Sequence, residues 1–423
     1  MMRHPASGST LGCLSLGLAL ASALPSLGQQ TPGLPIRPDS AASSPQPPDD
    51  SRVLERLERQ LLDASSLIQD PAERSRELER AARAFLLSQS LDSALEAIRG
   101  AGQAALEIPQ RGLRDVRLDA AAATALALSE QITQRGIIGA RGPAEFGLLP
   151  DASGPAVRTD TERLESLDRA LDAFGLAEAL ATQIESENYR SAALARVVIA
   201  LAKKSQDVAR YLVESTGASP LIDQVDSPFR DRADRFLVAA QTTLLRIPLP
   251  AFRDRTLVEL VTLAAASHQY RRAREIAHTW PHLPSRAEAL VVIAQAQAFD
   301  RLDADATTSF QEALETVTRI PLTGPRLTAA ALLLDSLMAC GRFEDARAAI
   351  TIAPDPNLRL AALSAVARSM GSRGLVDAAY HWIDREAPPS FRDRLRREVA
   401  DGLAEFVEQG QLRRSAVDLR GLR

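Results

Sequence analysis

RLTAAALLLDSLMACGRFEDARAAI (residues 326–350) and RLAALSAVARSMGSRGLVDAAYHWI (residues 359–383) align without a gap. Leu333 falls on Val366, Gly341 on Gly374, Ala346 on Ala379 and Ile350 on Ile383. Within each half the apolar residues recur every third or fourth place, which is helical spacing. The shared glycine fits the turn that ends the first helix. The alanine beyond it is small enough to let two helices approach closely. Such a hairpin leaves an apolar face that only a neighbouring hairpin can cover, so units of this kind must stack.

Working outward, the leading arginine recurs at Arg74, Arg114, Arg286, Arg326, Arg359 and Arg392. Arg74 to Arg114 and Arg286 to Arg326 are long steps; Arg326 to Arg359 and Arg359 to Arg392 are short ones. Steps of about 33 to about 40 residues mark stacked helical hairpins. In the long units Ala94, Ile98 and Ile108-Pro109 precede Arg114 as Ala306, Phe310 and Ile320-Pro321 precede Arg326. Seven extra residues are about two helical turns, so the second helix lengthens and stays in phase. A third Ile-Pro, Ile247-Pro248, precedes Arg253. Proline at these places closes one helix and sets up the next. Phe-Arg-Asp-Arg occurs at Phe229–Arg232, Phe252–Arg255 and Phe391–Arg394, each just after a proline. These read as helix starts, with the aspartate favourable in the first turn. The phenylalanine is expected to plug the gap between hairpins, with the arginines in solvent or paired. The alternative is an arginine ladder that grips carboxylate or phosphate groups.

Gly341-Arg-Phe-Glu-Asp-Ala346 resembles the Gly-x-aromatic-x-x-Ala segment of the tetratricopeptide repeat family. Leu333, Ile350 and Ala353 fall where that family prefers apolar or small residues, whereas Leu334 stands where it prefers a small one. The period also alternates between 33 and 40 where the family holds 34. The resemblance implies a superhelix of antiparallel helix pairs that binds peptides or proteins on its concave face, without catalysis. The fold class expected is therefore all-α, an α-α superhelix: a TPR-like solenoid of period 33–40.

Composition agrees. The 423 residues are 45% hydrophobic but only 4% aromatic, and alanine and leucine dominate, which favours helices over propellers or β-sandwiches. A formal net charge of −4 gives no footprint for nucleic acid. Lys203 and Lys204 are the only lysines, a bias read as genome composition.

Residues 1–28 read as a signal peptide: Arg3 and His4, an apolar run from Leu11 to Leu20, and small residues at Ala21-Ser22-Ala23 and Ser26-Leu27-Gly28. The run is broken by glycine and serine and closed by Pro25, so it makes a poor membrane span. Residues 29–50, rich in proline and serine, read as a disordered linker. Helical pattern begins near Ser51, read as a cap. The expected order is then N-terminal repeats at 51–135, a Gly/Pro-rich loop at 136–160 (Pro143, Pro150, Pro155) that divides the array, C-terminal repeats at 161–410 and a basic tail at 411–423. A smaller break falls at Thr216–Pro228, and no hairpins can be placed between 160 and 253, although Arg190 opens a helix. After processing Cys340 is the sole cysteine, read as a small buried hydrophobe.

Few residues offer chemistry. His278 and His282, with His268 nearby, have spacing for metal ligands, but Pro281 intervenes and surface or interface roles are the expectation. Trp280 and Trp382 are expected to cap hairpin cores. Glu312 with Glu315, or Asp377 with Asp384, are the carboxylate pairs available for glycoside hydrolysis. No phosphate loop, nucleophile elbow or zinc-protease helix occurs. The sequence assigns no catalytic, cofactor-binding or metal residue and no cofactor. The expectation is an exported (periplasmic or extracellular) non-enzymatic scaffold that binds a protein or peptide along its groove, with no nucleic acid and no membrane span after processing. The alternatives are a structural component of an envelope or secreted assembly, and a hydrolase using acidic residues in the solenoid's concavity.

Overall fold

The computed structural model describes residues 50–88, 90–137, 159–216, 227–321, 323–350 and 356–420. The expected signal peptide, the expected linker up to Asp50 and all but the edges of the expected 136–160 loop lie outside the described residues, as do Ala353 and the interior of the Thr216–Pro228 break. Every regular element described is helical: α1 (Asp50–Ser66), α2 (Pro71–Ser88), α3 (Leu91–Leu106), α4 (Arg111–Ile137), α5 (Asp160–Thr182), α6 (Glu187–Thr216), α7 (Pro228–Leu245), α8 (Pro250–Ala266), α9 (Tyr270–His278), α10 (Leu283–Phe299), α11 (Asp303–Thr318), α12 (Thr323–Ala339), α13 (Phe343–Ile350), α14 (Pro356–Gly371), α15 (Val376–Glu386) and α16 (Arg392–Arg420). Consecutive helices pair as hairpins, α2 with α3 through α14 with α15. First helices stack on first helices, α2–α4–α6–α8–α10–α12–α14–α16, to form one layer. Second helices form the other layer. The chain is thus an all-α helical-repeat solenoid. No described helix is long and apolar enough to cross a membrane.

The two period lengths have the cause anticipated. The second helix has 16 residues in the long units (α3, α11) but only 8 or 11 in the short units (α13, α15). Ile108, Ile247 and Ile320 are buried just before their prolines and close the hairpins above them.

The turn inside the hairpin is more regular than the sequence. Gly341 and Gly374 have φ of 75° and 72°, as the turn requires. The next amide reaches back over the helix end: Arg342 N donates to Leu337 O at 2.8 Å, and Leu375 N to Met370 O at 2.9 Å. Gln269 N to Ala264 O (3.0 Å) and Leu302 N to Gln297 O (2.9 Å) repeat the bond in the earlier hairpins. There the left-handed residue is His268 (φ 58°) or Arg301 (φ 61°) instead of glycine. These four turn residues keep the short and long steps of the arginines.

The recurring arginine is a staple. From the first turn of one helix it bonds back to a carbonyl at the end of the previous helix: Arg74 to Ile68 O (3.1 Å), Arg190 to Ile184 O (3.3 Å), Arg326 to Ile320 O (2.7 Å) and Arg392 to Ala387 O (3.1 Å). A cation there satisfies a helix-end carbonyl and complements the dipole. The residue after the arginine reaches forward instead. Buried Asp115 accepts from Glu185 N (2.9 Å) and Ser186 N (3.0 Å) at the start of α6, and Ser191 accepts from Leu249 N (3.3 Å) at the start of α8. Adjacent units are therefore tied in both directions at one point of the repeat.

Regularity fails in α4–α7. In α8, α10 and α12 the first helix ends at Ala266, Phe299 and Ala339, always at the same distance beyond Arg253, Arg286 and Arg326. Counted likewise from Arg114 and Arg190, α4 would stop at Ala127 and α6 at Lys203. They continue instead to Ile137 and Thr216. Each overruns by about ten residues or more, roughly 15 Å of helix. The start of α5 and the start of α7 cover these extensions: Arg163 lies over the Tyr211 ring at 5.3 Å, and Tyr211 packs on Phe229 at 5.1 Å. Thr159 and Glu162 form a reciprocal capping box at the start of α5. The segment between Ile137 and Thr159 therefore joins the two helices of one hairpin, and α4 contacts both α2 and α6.

At the ends, helix α1 begins at Asp50, so Ser51 lies inside its first turn and is not the cap. Buried Glu58 docks α1 by accepting from Ser88 (3.0 Å), Ser93 (3.0 Å) and Ser90. Helix α16 lies against α14 at a close crossing, where a Cβ on Gly402 would sit 2.0 Å from Arg368 O and one on Gly371 2.1 Å from Val399 O. It runs on to Arg420, so its backbone takes in most of the expected basic tail.

Candidate functional site: a cleft between two overlong helices

A cleft of about 590 Å³ lies between α4 and α6 and reaches onto their overrun, within the range typical of ligand sites. Its apolar lining is mostly small, Ala123, Leu126 and Ala127 from α4 and Ile199 and Ala200 from α6, and Ser129 of α4 and Gln206 of α6 add polar groups. Phe174 of α5, itself buried, forms part of the floor. Polar groups gather where α6 passes the length of an ordinary first helix. Both lysines of the chain are there. Lys204 is buried and donates to Asp207 at 3.0 Å. Arg196 is tied to Asp119 of α4. Exposed Lys203 on α6 and exposed Glu130 on α4 have no ion-pair partner among the described residues.

A second cleft, about 410 Å³, lies between α8 and α10, with Arg255, Glu259 and Glu288 on its rim. Measured from the repeat arginine, its lining and that of the first cleft fall in one continuous helical register. Both open on the same outer face of the first-helix layer.

The histidines singled out by spacing are not brought together. His268 bonds to Asp300, His278 to Glu312 (3.2 Å) and His282 to Asp254 (3.1 Å), three carboxylates of three different elements. Each contact crosses the joint between hairpins α8–α9 and α10–α11. Arg286 donates to His278 Nδ1 at 2.8 Å, so here the staple arginine meets an imidazole. No group of three metal-ligating side chains occurs among the described residues. Tyr270 also donates to Asp300, and burial with that carboxylate pushes its phenol well above the ordinary range.

Trp280 and Trp382 are both buried at hairpin ends. Trp280 Nε1 donates to Asp254 at 2.8 Å, and Arg347 lies over the Trp382 ring at 5.6 Å. Glu312 is held by His278, whereas Glu315 is exposed; Asp377 and Asp384 lie away from it near the chain's end, and Asp384 is paired with Arg396 at 2.6 Å. None of these four carboxylates lines either cleft. In the Phe-Arg-Asp-Arg motifs Phe229 is the buried plug expected, and Phe391 packs partly against the core. Phe252 is instead 39% exposed, because the start of α8 needs no plug once Pro250 and Ser191 have set it. Of the arginines of these motifs, Arg232 pairs with Asp168 at 2.7 Å, Arg392 bonds to Ala387 O, and Arg255 stands on the rim of the second cleft. Cys340 is half-buried, and burial pushes its thiol above the ordinary range, away from reactivity.

No protein-family model matches the chain, and no curated protein matches it either. Among solved structures, it is similar to Ton1535 from Thermococcus onnurineus NA1, at 13% identity and a TM-score of 0.30, over 82% of this chain and 85% of that one. It is also similar to a circular tandem repeat protein with novel repeat topology and enhanced subunit contact surfaces, at 15% identity and a TM-score of 0.32, over 88% and 90%. At such scores neither likeness bears on fold or function, and the fold assignment stands on the helix pairing itself.

Proposed function

We propose that the protein is an exported, non-enzymatic helical-repeat scaffold of TPR-like character that holds a protein or peptide partner along the outer face of its first-helix layer. The α4–α6 cleft is the observation that carries this reading. It lies where the array departs from its period, and it sets small apolar side chains beside charged ones. The hairpin at Arg326–Ile350, similar to a tetratricopeptide repeat, points to the same class of ligand, and the leader pattern at residues 1–28 supports export. The test uses the full chain with a C-terminal tag. The expected outcome is an exported form whose N-terminus begins beyond residue 20, and a saturable partner whose capture is lost in Ala127→Glu, which fills the cleft from an exposed position. Capture that is indifferent to Ala127→Glu would argue against this face.

A second reading, a structural component of an envelope or secreted assembly, is favoured by one observation. Val53, Leu57 and Leu61 form an exposed apolar row along α1, at 46%, 55% and 41% exposure, where a terminal helix of a free solenoid would be polar. A concentration-independent monomer in light scattering would count against it.

A further inference from the structure

Resting on that reading of the cleft, we propose that the α4–α6 cleft binds a short apolar peptide with free termini, Lys203 taking the carboxylate and Glu130 the ammonium. Three independent features converge on it. The first is architectural. Where two neighbouring first helices overrun their standard length, the cleft gains Lys204, Asp207 and Glu130 from beyond the point where the ordinary helices stop, with Lys203 at that point. The second is compositional. Outside this cleft every lysine-or-arginine position of the chain is arginine. An ammonium is a compact charge on a flexible stem that suits a single carboxylate on a mobile ligand, where arginine favours a fixed planar fork.

The third is the state of the charges. Within the cleft Lys204 is already neutralised by Asp207, and Arg196 by Asp119. Among the described residues that line it, this leaves Lys203 on α6 and Glu130 on α4 with no ion-pair partner, on the two helices that wall a trough of small apolar side chains interspersed with Ser129 and Gln206. A purely acidic ligand would meet Glu130, and a purely basic one would meet Lys203. A neutral apolar ligand would leave both charges without a partner as it displaced their water, a cost for each. A zwitterion with an aliphatic body matches all three elements. A volume of about 590 Å³ admits a very short peptide and not a folded domain.

The experiment is calorimetric titration of the full-length protein with trileucine, acetyl-trileucine and trileucine amide, repeated on Lys203→Gln and Glu130→Gln. Both substituted side chains are exposed, so the fold is expected to persist, and unchanged circular dichroism and melting temperature verify it. Amidation is expected to weaken binding to the parent protein on the order of tenfold, the value of one charge-assisted hydrogen bond, and acetylation likewise. In Lys203→Gln the penalty for amidation is expected to vanish while that for acetylation remains, and in Glu130→Gln the reverse. Blocked peptides that bind as tightly as the free one would overturn the proposal, as would penalties that survive both substitutions or no heat at millimolar trileucine. If trileucine fails while a partner is still captured in an Ala127→Glu-sensitive way, the terminus assignment is wrong and the scaffold reading stands. If neither responds, both are wrong.

Discussion

The hairpins from α8 to α15 and the block formed by α4–α7 are built from the same repeat and use it differently. In the later hairpins the first helix stops on schedule, a left-handed residue turns the chain, and the staple arginine closes the unit. The second-helix layer there is laced by ion pairs such as Arg274 with Glu312 (3.8 Å) and Arg347 with Glu386 (3.7 Å). In the earlier block the helices run on past their schedule, add to the one continuous core, and carry the larger cleft. Breaking the period in one place enlarges a cleft that the regular helices α8 and α10 also carry.

That contrast is open to attack by substitution. The largest effect is expected inside the overlong block. Phe236 is fully buried and meets Phe174 edge-on at 5.9 Å, so Phe236→Ala is expected to cost about 3–5 kcal/mol in chemical denaturation. A loss under about 1 kcal/mol would mean the block lacks the core assigned to it. Next comes the close crossing that ends the regular array. Gly402→Ala places a methyl against the backbone of α14 and is expected to cost about 1–3 kcal/mol, with Gly324→Ala, whose Cβ meets nothing within 4 Å, as the unaffected control. Equal melting temperatures for the two variants would refute the crossing.

The forward tie is expected to rank third. Asp115→Ala removes the acceptor for two backbone amides at the start of α6, and a loss of about 0.5–2 kcal/mol is expected in the same denaturation assay. If α6 hydrogen exchange is unaltered, the tie is decorative. The smallest effect is a pH dependence. Burial raises the Glu79 carboxyl above its ordinary 4.5, against the opposing pull of Arg117 and Arg83. A raised acid favours the folded state below its unfolded value, and that contribution is lost as pH rises through the folded value. Glu79→Gln is therefore expected to flatten the fall in stability above about pH 4.5, and parallel curves for parent and variant would dismiss the effect.

The regular half is legible in the sequence because its marks are local. Gly341 and Gly374 stand at fixed places, and Ile-Pro closes each long unit. The overlong block is not, because a helix that fails to stop carries no mark at the place where it should have stopped. The apolar spacing of α6 simply continues past Lys203. The turns at His268 and Arg301 are hidden for a related reason. Their backbone is left-handed, yet the residue type does not announce it, and only their spacing, one short step to Arg301 and one long step to Gly341, betrays them. The start of α5 does have a signal, the Thr-x-x-Glu at Thr159–Glu162. The cleft joins walls about 70 residues apart, from Ala127 to Ile199, a proximity that no periodicity encodes. Its one sequence trace is the adjacent pair Lys203-Lys204 in a chain whose other cations are arginines.

The thick block also bears on how the chain comes apart. A stack in which each hairpin touches only its neighbours frays from its ends, one unit at a time. Here two overlong helices and their partners sit between α2–α3 and the array from α8 onward, within one continuous core. Opening that begins at α1–α3 next meets helices with more surface to expose than a short hairpin has, so fraying on that side is costlier per step than fraying through α13 and α15.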